Sequence, residues 1–521
     1  MGSKQPTNVH AKKTNARNKK GSAKAKASRP NKRECMNATA RSAKQAGNRP
    51  RKRTNETRRA SSTSSTCPVS HQCGACQFIG LDYQKQLEDK QQAIIDLFEE
   101  LGSEDCALHP ILGMQEPYHY RNKVVSPFAP GKKLKAPVGK QAKKATHSRQ
   151  GRQKPQREIL CGMYAKGTHK IIDTTDCLLE NEKAQRIIKA IRQLMPKFGV
   201  EPYNEDTGSG FLRHAVVRVG HSSGEILVTL VTNGREFPAS KSFCRELKKR
   251  VPEITTIVQN VNTRLTNVIL GDEGEQALYG PGFILDDLCG LRFRISAHSF
   301  YQVNALQTEV LYRKAIEFAQ LTGNEIVMDA YCGTGTIGLV AATGAKPTDA
   351  APSEPADDAQ PEASSNTHPN PAKKPDSSSD KQGGKPSNGA SKVIGVDKVP
   401  NAIKDARNNA RHNHIENAEF YAEDAGDFMR KMAEADQTLD VLFMDPPRAG
   451  STPEFLSSAC QLAPRRIVYI SCNPTTQARD VEFLTKHGYV LTDIQPVDMF
   501  PHTEHIENIC RLELKAAKQQ A

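Results

Sequence analysis

The stretch 325-EIVMDAYCGTGTIGLVAAT-343 decides the predicted fold of this chain. An apolar run leads into it, and three glycines, Gly333, Gly335 and Gly338, precede a second apolar run. Glycines let the backbone turn sharply and approach a ligand, and a helix that starts there presents free N–H groups. The order of strand, glycine-rich turn and helix predicts an α/β protein whose parallel sheet binds a ligand at the carboxyl ends of its strands. The motif is common in α/β proteins, so it does not identify the ligand.

Three later apolar runs are also predicted strands that end in polar residues. They are 392-KVIGVD-397, 438-TLDVLFMDPPRAG-450 and 465-RRIVYISCNP-474. Asp397 is placed to accept two ribose hydroxyls, which favours an adenosine ligand, although such strand-end acids are also ordinary caps. Two prolines stiffen the turn after Asp445, although Asp-Pro-Pro is also an ordinary end of a strand. The order of these features fits methyltransferases better than dehydrogenases.

Cys472 stands where a hydrophobic strand breaks into an Asn-Pro turn. The turn lifts the thiol toward the end of the strand, which argues against a buried structural cysteine. A thiolate that adds to C6 of uracil turns C5 into a nucleophile for an electrophilic methyl group, and a base must then remove the proton from C5. In 500-FPHTEHIENICRLEL-514, His505 and Glu507 share one face of a strand, with Glu504 offset, so these are the candidate bases.

Three further cysteines, Cys67, Cys73 and Cys76, lie within ten residues in a C-x5-C-x2-C pattern. So dense a run predicts a metal site rather than packing. Zinc and an iron-sulfur cluster both accept thiolate ligands, and a fourth ligand must come from elsewhere in the chain. The spacing alone does not choose between the two.

The positive charge of the chain is concentrated in two segments. Residues 1–66 hold 19 Lys and Arg against two acids, so the other 455 residues together carry −2 of the total charge of +15. Residues 131–157 add ten Lys and Arg without an acid. We expect the first segment to be a disordered arm that binds a polyanion, with a solubilising tail as the alternative. The second is either an RNA-facing arm or an ordinary solvated loop, and residues 345–391, with eight prolines and no large apolar residue, predict a disordered insert.

Taken together, these motifs resemble the RNA 5-methyluridine methyltransferases, which methylate C5 of uracil in 23S ribosomal RNA or tRNA with S-adenosylmethionine. The resemblance covers about residues 67–515 apart from the two inserts. It implies that Cys472 is the nucleophile and Glu507 the general base. It also implies contacts to S-adenosylmethionine from six residues: Gln302 in SFYQVN, Tyr331, Thr336, Asp397, Asp424 in AEDAGDF, and Asp445, which also lies at the target base.

The ribosomal RNA branch of that family carries a [4Fe-4S] cluster on C-x5-C-x2-C and one later cysteine. The resemblance therefore implies a cluster held by Cys67, Cys73, Cys76 and, in TTDCLLEN, Cys177, with a structural role. It favours 23S ribosomal RNA over tRNA as the partner. Many relatives have a small RNA-binding β-barrel where this chain has its basic tail, so the target nucleotide stays open.

The expected fold class is a class I S-adenosylmethionine-dependent, Rossmann-like methyltransferase domain joined to a strand-rich central domain and a cysteine segment. We divide the chain into the tail 1–66, the cluster segment and a helix at 67–108, a central RNA-binding domain at 109–290 and a catalytic domain at 291–521. Without a signal-peptide pattern or an apolar run near about 18 residues, and with no disulfide pattern among its cysteines, we expect a cytoplasmic monomer without a membrane partner.

Three alternatives remain at this point. A tRNA uracil-C5 methyltransferase would have the same mechanism. An amino-methyltransferase would use the Asp-Pro-Pro turn and would not need Cys472. A non-catalytic RNA-binding or ribosome-assembly factor would have kept the fold without the activity.

Overall fold

The computed structural model describes residues 67–102, 105–134, 157–174, 176–344 and 389–515. The chain divides into two units, Met1–Thr63 and Ser64–Ala521, and the first lies outside the described residues. The predictions for the basic tail 1–66, for most of the insert 131–157 and for nearly all of the insert 345–391 also fall outside them.

The described residues form ten α-helices and eighteen strands. The helices are α1 Ser70–Cys73, α2 Tyr83–Phe98, α3 Glu182–Leu194, α4 Ser240–Arg250, α5 Ala305–Ala319, α6 Thr336–Thr343, α7 Pro400–His412, α8 Ala425–Glu434, α9 Pro453–Leu462 and α10 Pro474–Lys486. The strands are β1 Ala107–Leu108, β2 Lys123–Lys133, β3 Arg157–Cys161, β4 Met163–Tyr164, β5 Ile171–Ile172, β6 Leu212–Val219, β7 Ile226–Thr232, β8 Ile254–Val261, β9 Glu275–Tyr279, β10 Ile284–Leu288, β11 Leu291–Ile295, β12 Ile326–Ala330, β13 Lys392–Asp397, β14 Ala418–Ala422, β15 Val441–Met444, β16 Arg466–Ser471, β17 Tyr489–Val497 and β18 Glu507–Leu514.

An eight-stranded sheet carries the predicted catalytic motifs. Its strand order is β1-β17-β18-β16-β15-β12-β13-β14. Five adjacent strands run parallel to one another, in the order β14, β13, β12, β15 and β16. Strand β18 runs antiparallel to both of its neighbours, β16 and β17. The chain moves outward from β12 to β14 and then returns to β15 on the other side, so β12 and β15 flank the point where the strand order reverses. Ligands of open α/β sheets bind at that point.

Helices cover both faces of this sheet, which explains why its central strands are apolar throughout. All four residues of β15 are buried. Helices α5, α6 and α7 contribute to the core on one face, and α2, α8, α9 and α10 to the core on the other. Strands buried on both faces need continuous apolar sequence rather than alternation, and VLFM at 441–444 meets that requirement.

The central region is built on a second, six-stranded sheet. Its order is β3-β2-β6-β7-β8-β9, and only β7 and β8 are parallel, because α4 crosses over between them. Helices α3 and α4 close a separate core against this sheet. The pairs β4-β5 and β10-β11 form two small antiparallel sheets. The region is mixed and rich in strands.

Helix α2 differs from its predicted form in two respects. The sequence predicts an apolar face of Leu87, Ile94 and Leu97 and an end at Gly102, whereas the helix ends at Phe98 and both leucines are only half-buried. Its fully buried residues are Gln86, Lys90, Ile94 and Phe98. These are four residues apart, and such positions lie along one face of a helix. Two polar side chains therefore belong to the buried face.

Strand β1 pairs in parallel with β17, so an N-terminal segment forms the edge of the eight-stranded sheet. This strand lies in the part of the chain that the sequence division places with the cysteine segment. Every helix among the described residues is too short or too polar to span a bilayer.

Candidate active site

Five polar residues with predicted roles lie at or just beyond the carboxyl ends of neighbouring parallel strands. They are Tyr331 after β12, Asp397 at the end of β13, Asp424 after β14, Asp445 after β15 and Cys472 after β16. Because these strands are parallel, their carboxyl ends meet at one edge of the sheet. The structure therefore gathers residues that are spread over more than a hundred positions of the sequence.

The glycine-rich turn is held against the end of β13 by Asp397. One carboxylate oxygen accepts from the N–H of Gly333 at 3.1 Å and the other from the N–H of Val399 at 2.8 Å. Gly335 has a φ of +81°, and a Cβ there would meet the Phe420 ring at 2.9 Å. The turn therefore needs glycine at position 335. Each carboxylate oxygen of Asp397 has a further lone pair that can accept a hydrogen bond from a ligand.

A buried carboxyl group supports this turn from below. Asp329 accepts from the N–H of Gly338 at 2.8 Å, and burial raises the pKa of Asp329 to about 7. The hydroxyl of Thr336, the first residue of α6, bonds to the hydroxyl of Tyr312 at 3.0 Å. The first turn of α6 is therefore anchored to α5.

Two other predicted cofactor residues have structural partners of their own. Asp424 is exposed and caps α8, accepting from the N–H groups of Gly426 at 3.0 Å and Asp427 at 3.3 Å. The backbone carbonyl of Gln302 accepts from Asn122 at 3.1 Å, which leaves the side-chain amide of Gln302 available. The segment that carries Gln302 is tied to the glycine-rich turn, because the Thr334 hydroxyl donates to the carbonyl of Phe300 at 3.4 Å.

Cys472 and Glu507 face each other where β16 and β18 diverge. Ser471 pairs with Asn508 in this antiparallel ladder, so the next position on each strand brings Cys472 opposite Glu507. Cys472 is half-buried, and the Glu507 side chain is almost fully buried. The candidate nucleophile and the candidate base are thus neighbours on adjacent strands.

Charges around Cys472 act in opposite directions on its thiol. Burial, followed by Glu507 and Asp445, raises the pKa of Cys472 to about 11, and Arg448 opposes that rise. Burial and Asp445 hold the pKa of Glu507 well above its usual range, and desolvation raises the pKa of Asp445 to about 7. The charges of Arg448, Asp445 and Glu507 thus act together on the thiol of Cys472.

Arg448 was not singled out from the sequence, although it directly follows Asp-Pro-Pro. Its backbone carbonyl accepts from the amide of Asn473 at 2.9 Å and from the hydroxyl of Thr476 at 3.2 Å. The Asn-Pro turn after Cys472 therefore fixes the Asp-Pro-Pro-Arg loop beside the thiol. A cation that follows a strand-end acid, opposite a cysteine on the next strand, is the signal that was available in the sequence.

The other two candidate bases are placed differently. Glu504 is exposed, and its backbone N–H donates to the side chain of Gln77 at 3.3 Å. Burial and then Arg448 lower the pKa of His505, which favours its neutral form. Of the three candidate bases, Glu507 is the one whose charge acts on Cys472.

The four predicted cluster ligands line one cavity of about 210 Å³. Cys67, Cys73, Cys76 and Cys177 contribute to its wall together with Arg121. Burial, followed by the charge of the neighbouring Cys177, raises the pKa of Cys76 to about 12. The Nε atom of Arg121 is buried and has no hydrogen-bond partner among the residues that the structure describes.

Four thiols around one cavity are a donor set of the kind that an iron-sulfur cluster takes. Within the described ranges, no group of three or more Cys, His, Asp or Glu side chains is placed to hold a metal ion. In a cubane cluster each thiolate binds a different iron atom, so the four sulfurs surround a larger group. The Arg121 Nε–H group could donate a hydrogen bond to an inorganic sulfide or to a thiolate of such a cluster.

Comparison with known proteins places these features among methyltransferases. A family model described as "Methyltransferase domain" matches residues 385–509. A Bacillus cereus protein named as an uncharacterized RNA methyltransferase is 37% identical over 449 residues, covering 86% of this chain and 83% of its own length. Relatives with the same designation in Halalkalibacterium halodurans and Listeria monocytogenes are 38% and 37% identical, with 83% and 86% of their lengths covered.

A solved structure has the same fold over most of the chain. It is the tRNA (uracil-54, C5)-methyltransferase of Pyrococcus abyssi in complex with S-adenosyl-L-homocysteine, which is 24% identical with a TM-score of 0.57. The match covers 83% of this chain and 84% of that one. The fold class predicted from the sequence, a class I S-adenosylmethionine-dependent methyltransferase sheet, is confirmed.

Proposed function

This chain belongs to the RNA methyltransferase family, and on that premise we propose that it methylates C5 of a uridine in RNA with S-adenosylmethionine as the methyl donor. One observation carries the choice of C5, namely that Cys472 faces Glu507 across the end of β16 and β18. Uracil C5 is a poor nucleophile, and a thiol with a base beside it is what its activation requires. Methylation of an exocyclic amine would need neither residue.

The reaction begins with the thiolate of Cys472. The thiolate adds to C6, and the electron pair of the C5–C6 double bond moves to form an enolate. C5 attacks the electrophilic methyl group of S-adenosylmethionine, and the methyl–sulfur bond breaks to release S-adenosylhomocysteine. Glu507 then accepts the proton from C5, the double bond forms again, and the thiolate leaves C6. Arg448 stabilises the thiolate before addition and after elimination.

The edge of the sheet supplies groups that would hold the methyl donor. The amides of the glycine-rich turn and the start of α6, with Tyr331 and Thr336, would line one side, and Asp397 would accept from the ribose hydroxyls. Three more residues, Gln302, Asp424 and Asp445, would complete the contacts. Asp397 is already fixed by two backbone N–H groups, so its orientation would not change on binding.

We further propose that Cys67, Cys73, Cys76 and Cys177 hold a [4Fe-4S] cluster. The cavity that these residues share and the orphan donor of Arg121 support this assignment. A cluster there would link the segment around α1 to the loop that carries Cys177, and its role would be structural.

The proposed substrate is 23S ribosomal RNA, because the cysteine pattern resembles the ribosomal branch of the uracil-C5 methyltransferases. The Pyrococcus neighbour acts on tRNA, so tRNA is the competing substrate.

The first experiment gives the purified protein labelled S-adenosylmethionine and undermethylated total RNA, then digests the separated 23S, 16S and tRNA fractions to nucleosides. Labelled 5-methyluridine in 23S RNA is the expected result. The same nucleoside in tRNA would keep the mechanism and overturn the substrate. A labelled methylamino nucleoside would overturn the mechanism, and no label from protein with a loaded cluster would favour the non-catalytic RNA-binding factor.

Two substitutions test the residue roles. Cys472→Ala should abolish methylation and the covalent RNA adduct while S-adenosylmethionine still binds, whereas Cys460→Ala, on the half-exposed side of α9, should behave as wild type.

Glu507→Gln should let the adduct accumulate, because addition proceeds and proton removal stalls. If Glu504→Gln accumulates the adduct instead, the base is Glu504.

A further inference from the structure

Residues 498–506 connect β17 to β18, which begins at Glu507. We call these residues the return loop. Val497 and Glu507 are paired across the two antiparallel strands, so the loop leaves and re-enters the sheet at one point. Glu507 is the first residue of β18. Its position therefore depends on how the return loop is held.

Five consecutive backbone carbonyls of the return loop accept hydrogen bonds from separate parts of the chain. The donors are Gln307 to Asp498 (3.1 Å), Asn304 to Met499 (2.9 Å), Lys90 to Phe500 (3.3 Å), Tyr120 to Pro501 (3.1 Å) and the N–H of Phe78 to His502 (3.0 Å). Three of these donors come from the N-terminal part of the chain. These bonds tie residues 498–502, the first part of the return loop, to α2, to α5 and to the segments around Phe78 and Tyr120.

Helix α2 holds the start of the return loop through a buried ion pair. The ammonium of Lys90 lies 2.6 Å from the carboxylate of Asp498, and the two side chains are 1% and 0% exposed. Tyr83, one turn before Gln86 on the same helix, donates to the other carboxylate oxygen at 2.9 Å. Removing one partner of such a pair leaves a buried charge without compensation, which is strongly unfavourable.

The same helix also holds the middle of the return loop. Gln86 accepts from the N–H of His502 at 2.9 Å, and its amide nitrogen lies 3.1 Å from His502 Nδ1. His502 has a φ of +66°, a left-handed conformation that is unfavourable for a residue with a side chain. Strained backbone persists only where its surroundings hold it, and the fully buried Gln86 is the group that does so here.

We propose that Lys90 and Gln86 are positioning residues that set the return loop so that Glu507 can take the proton from C5. The inference rests on the proposed function. Neither side chain contacts the reacting atoms, and both act on one loop because they are four residues apart on α2. Cys472 itself follows β16, and the Asn-Pro turn after it is anchored to the carbonyl of Arg448, so displacement of the return loop leaves the nucleophile in place. The contacts of Lys90 and Gln86 with the return loop therefore affect the removal of the C5 proton, the step in which Glu507 acts.

The test separates addition from proton removal in Lys90→Met and Gln86→Leu. RNA that carries 5-fluorouridine cannot lose its C5 substituent as a proton, so it traps the protein after methyl transfer and reports only the earlier steps. Both variants should bind S-adenosylmethionine with unchanged affinity and trap this RNA no more slowly than wild type, because a displaced Glu507 no longer raises the pKa of Cys472. With ordinary RNA the adduct should resolve between about 10- and 100-fold more slowly, as expected for a displaced catalytic group, and should accumulate as in Glu507→Gln.

The matched control is Lys85→Met, on the exposed face of the same helix, where the side chain is 55% exposed; it should match wild type in every assay. Trapping and turnover that fall in equal proportion would overturn the proposal, because they would indicate a loss of folded protein. Unchanged turnover would overturn it as well. If Lys90→Met does not fold, Lys90→Met combined with Asp498→Asn removes both charges and is measured in the same way. A wild-type protein that fails to trap 5-fluorouridine RNA would instead reject the proposed function.

Discussion

At the scale of single residues, the thiol of Cys472 has one cationic neighbour and two acidic ones. Arg448 lowers the pKa of Cys472, whereas Glu507 and Asp445 raise it. The nucleophile is the thiolate, so the rate of addition follows the ionised fraction. Because the pKa of Cys472 is raised to about 11, the ionised fraction of its thiol increases with pH throughout the neutral range.

Arg448→Gln should move the pH profile of adduct formation to higher pH. The substitution removes the one neighbour that favours the thiolate, so the pKa of Cys472 rises, and each unit of that rise lowers the thiolate fraction about tenfold at a fixed pH below the plateau. Trapping rates on 5-fluorouridine RNA, measured across pH, would show this shift. Arg430→Gln, an exposed arginine on α8, should leave the profile in place, and an unmoved profile for Arg448→Gln would contradict the role of Arg448.

The residues of the site that could be predicted from the sequence are those at strand ends. Cys472, Asp397 and Asp445 each close a recognisable apolar run, and the parallel topology brings those ends together. Arg448 also follows a strand end and could have been found in the same way. Lys90 and Gln86 could not, because their partners lie in other segments and a lysine and a glutamine on an amphipathic helix are expected to face solvent.

At the scale of elements, α2 is the helix whose role differs most from its sequence pattern. Its buried row combines the polar pair Gln86 and Lys90 with the apolar pair Ile94 and Phe98. The apolar half packs against the core of the eight-stranded sheet, and the polar half bonds to the return loop. The sequence predicted that this helix exists but not which face is buried.

Ile94→Ala should lower the free energy of unfolding by about 2–5 kcal/mol, because it removes a fully buried side chain and leaves a cavity. Gln92→Ala, at an exposed position of the same helix, should change it by less than about 0.5 kcal/mol. Urea denaturation followed by circular dichroism measures both. Equal effects of the two substitutions would mean that α2 is not docked on the sheet in solution.

At the scale of the whole molecule, the positive charge is concentrated in one segment of the sequence. Residues 1–66 carry a net charge of +17 and the other 455 residues a net charge of −2, which gives the total of +15. Clustered cations that bind phosphates release counterions, so affinity for RNA depends on salt in proportion to the number of such contacts.

Deletion of residues 1–66 should weaken RNA binding and reduce the slope of log affinity against log salt. Filter binding at several salt concentrations measures both quantities. The matched control is deletion of residues 347–386, which contain more acids than bases and should leave the slope unchanged. An unchanged slope after removal of the tail would make it a solubilising segment.

The cysteine cavity gives a second prediction at this scale. Protein purified without oxygen should contain four irons and four sulfides per chain, and Cys177→Ser should lose them, because the cluster needs all four thiolates. Cys106→Ser, a half-buried cysteine outside the cavity, should retain them. Iron and sulfide analysis decides the matter, and one zinc per chain in place of iron would overturn the cluster.

The ion pair between Lys90 and Asp498 joins two parts of the chain that are made at different times during synthesis. Its two residues are 408 positions apart, so a ribosome adding about 5–20 residues per second makes the second roughly 20 to 80 s after the first. During that interval Lys90 on α2 lacks its ion-pair partner, and β1 lacks β17, the strand with which it pairs. The eight-stranded sheet is therefore complete only after β17 and β18 have been made, and a nascent chain that stops before residue 498 lacks both the return loop and Glu507.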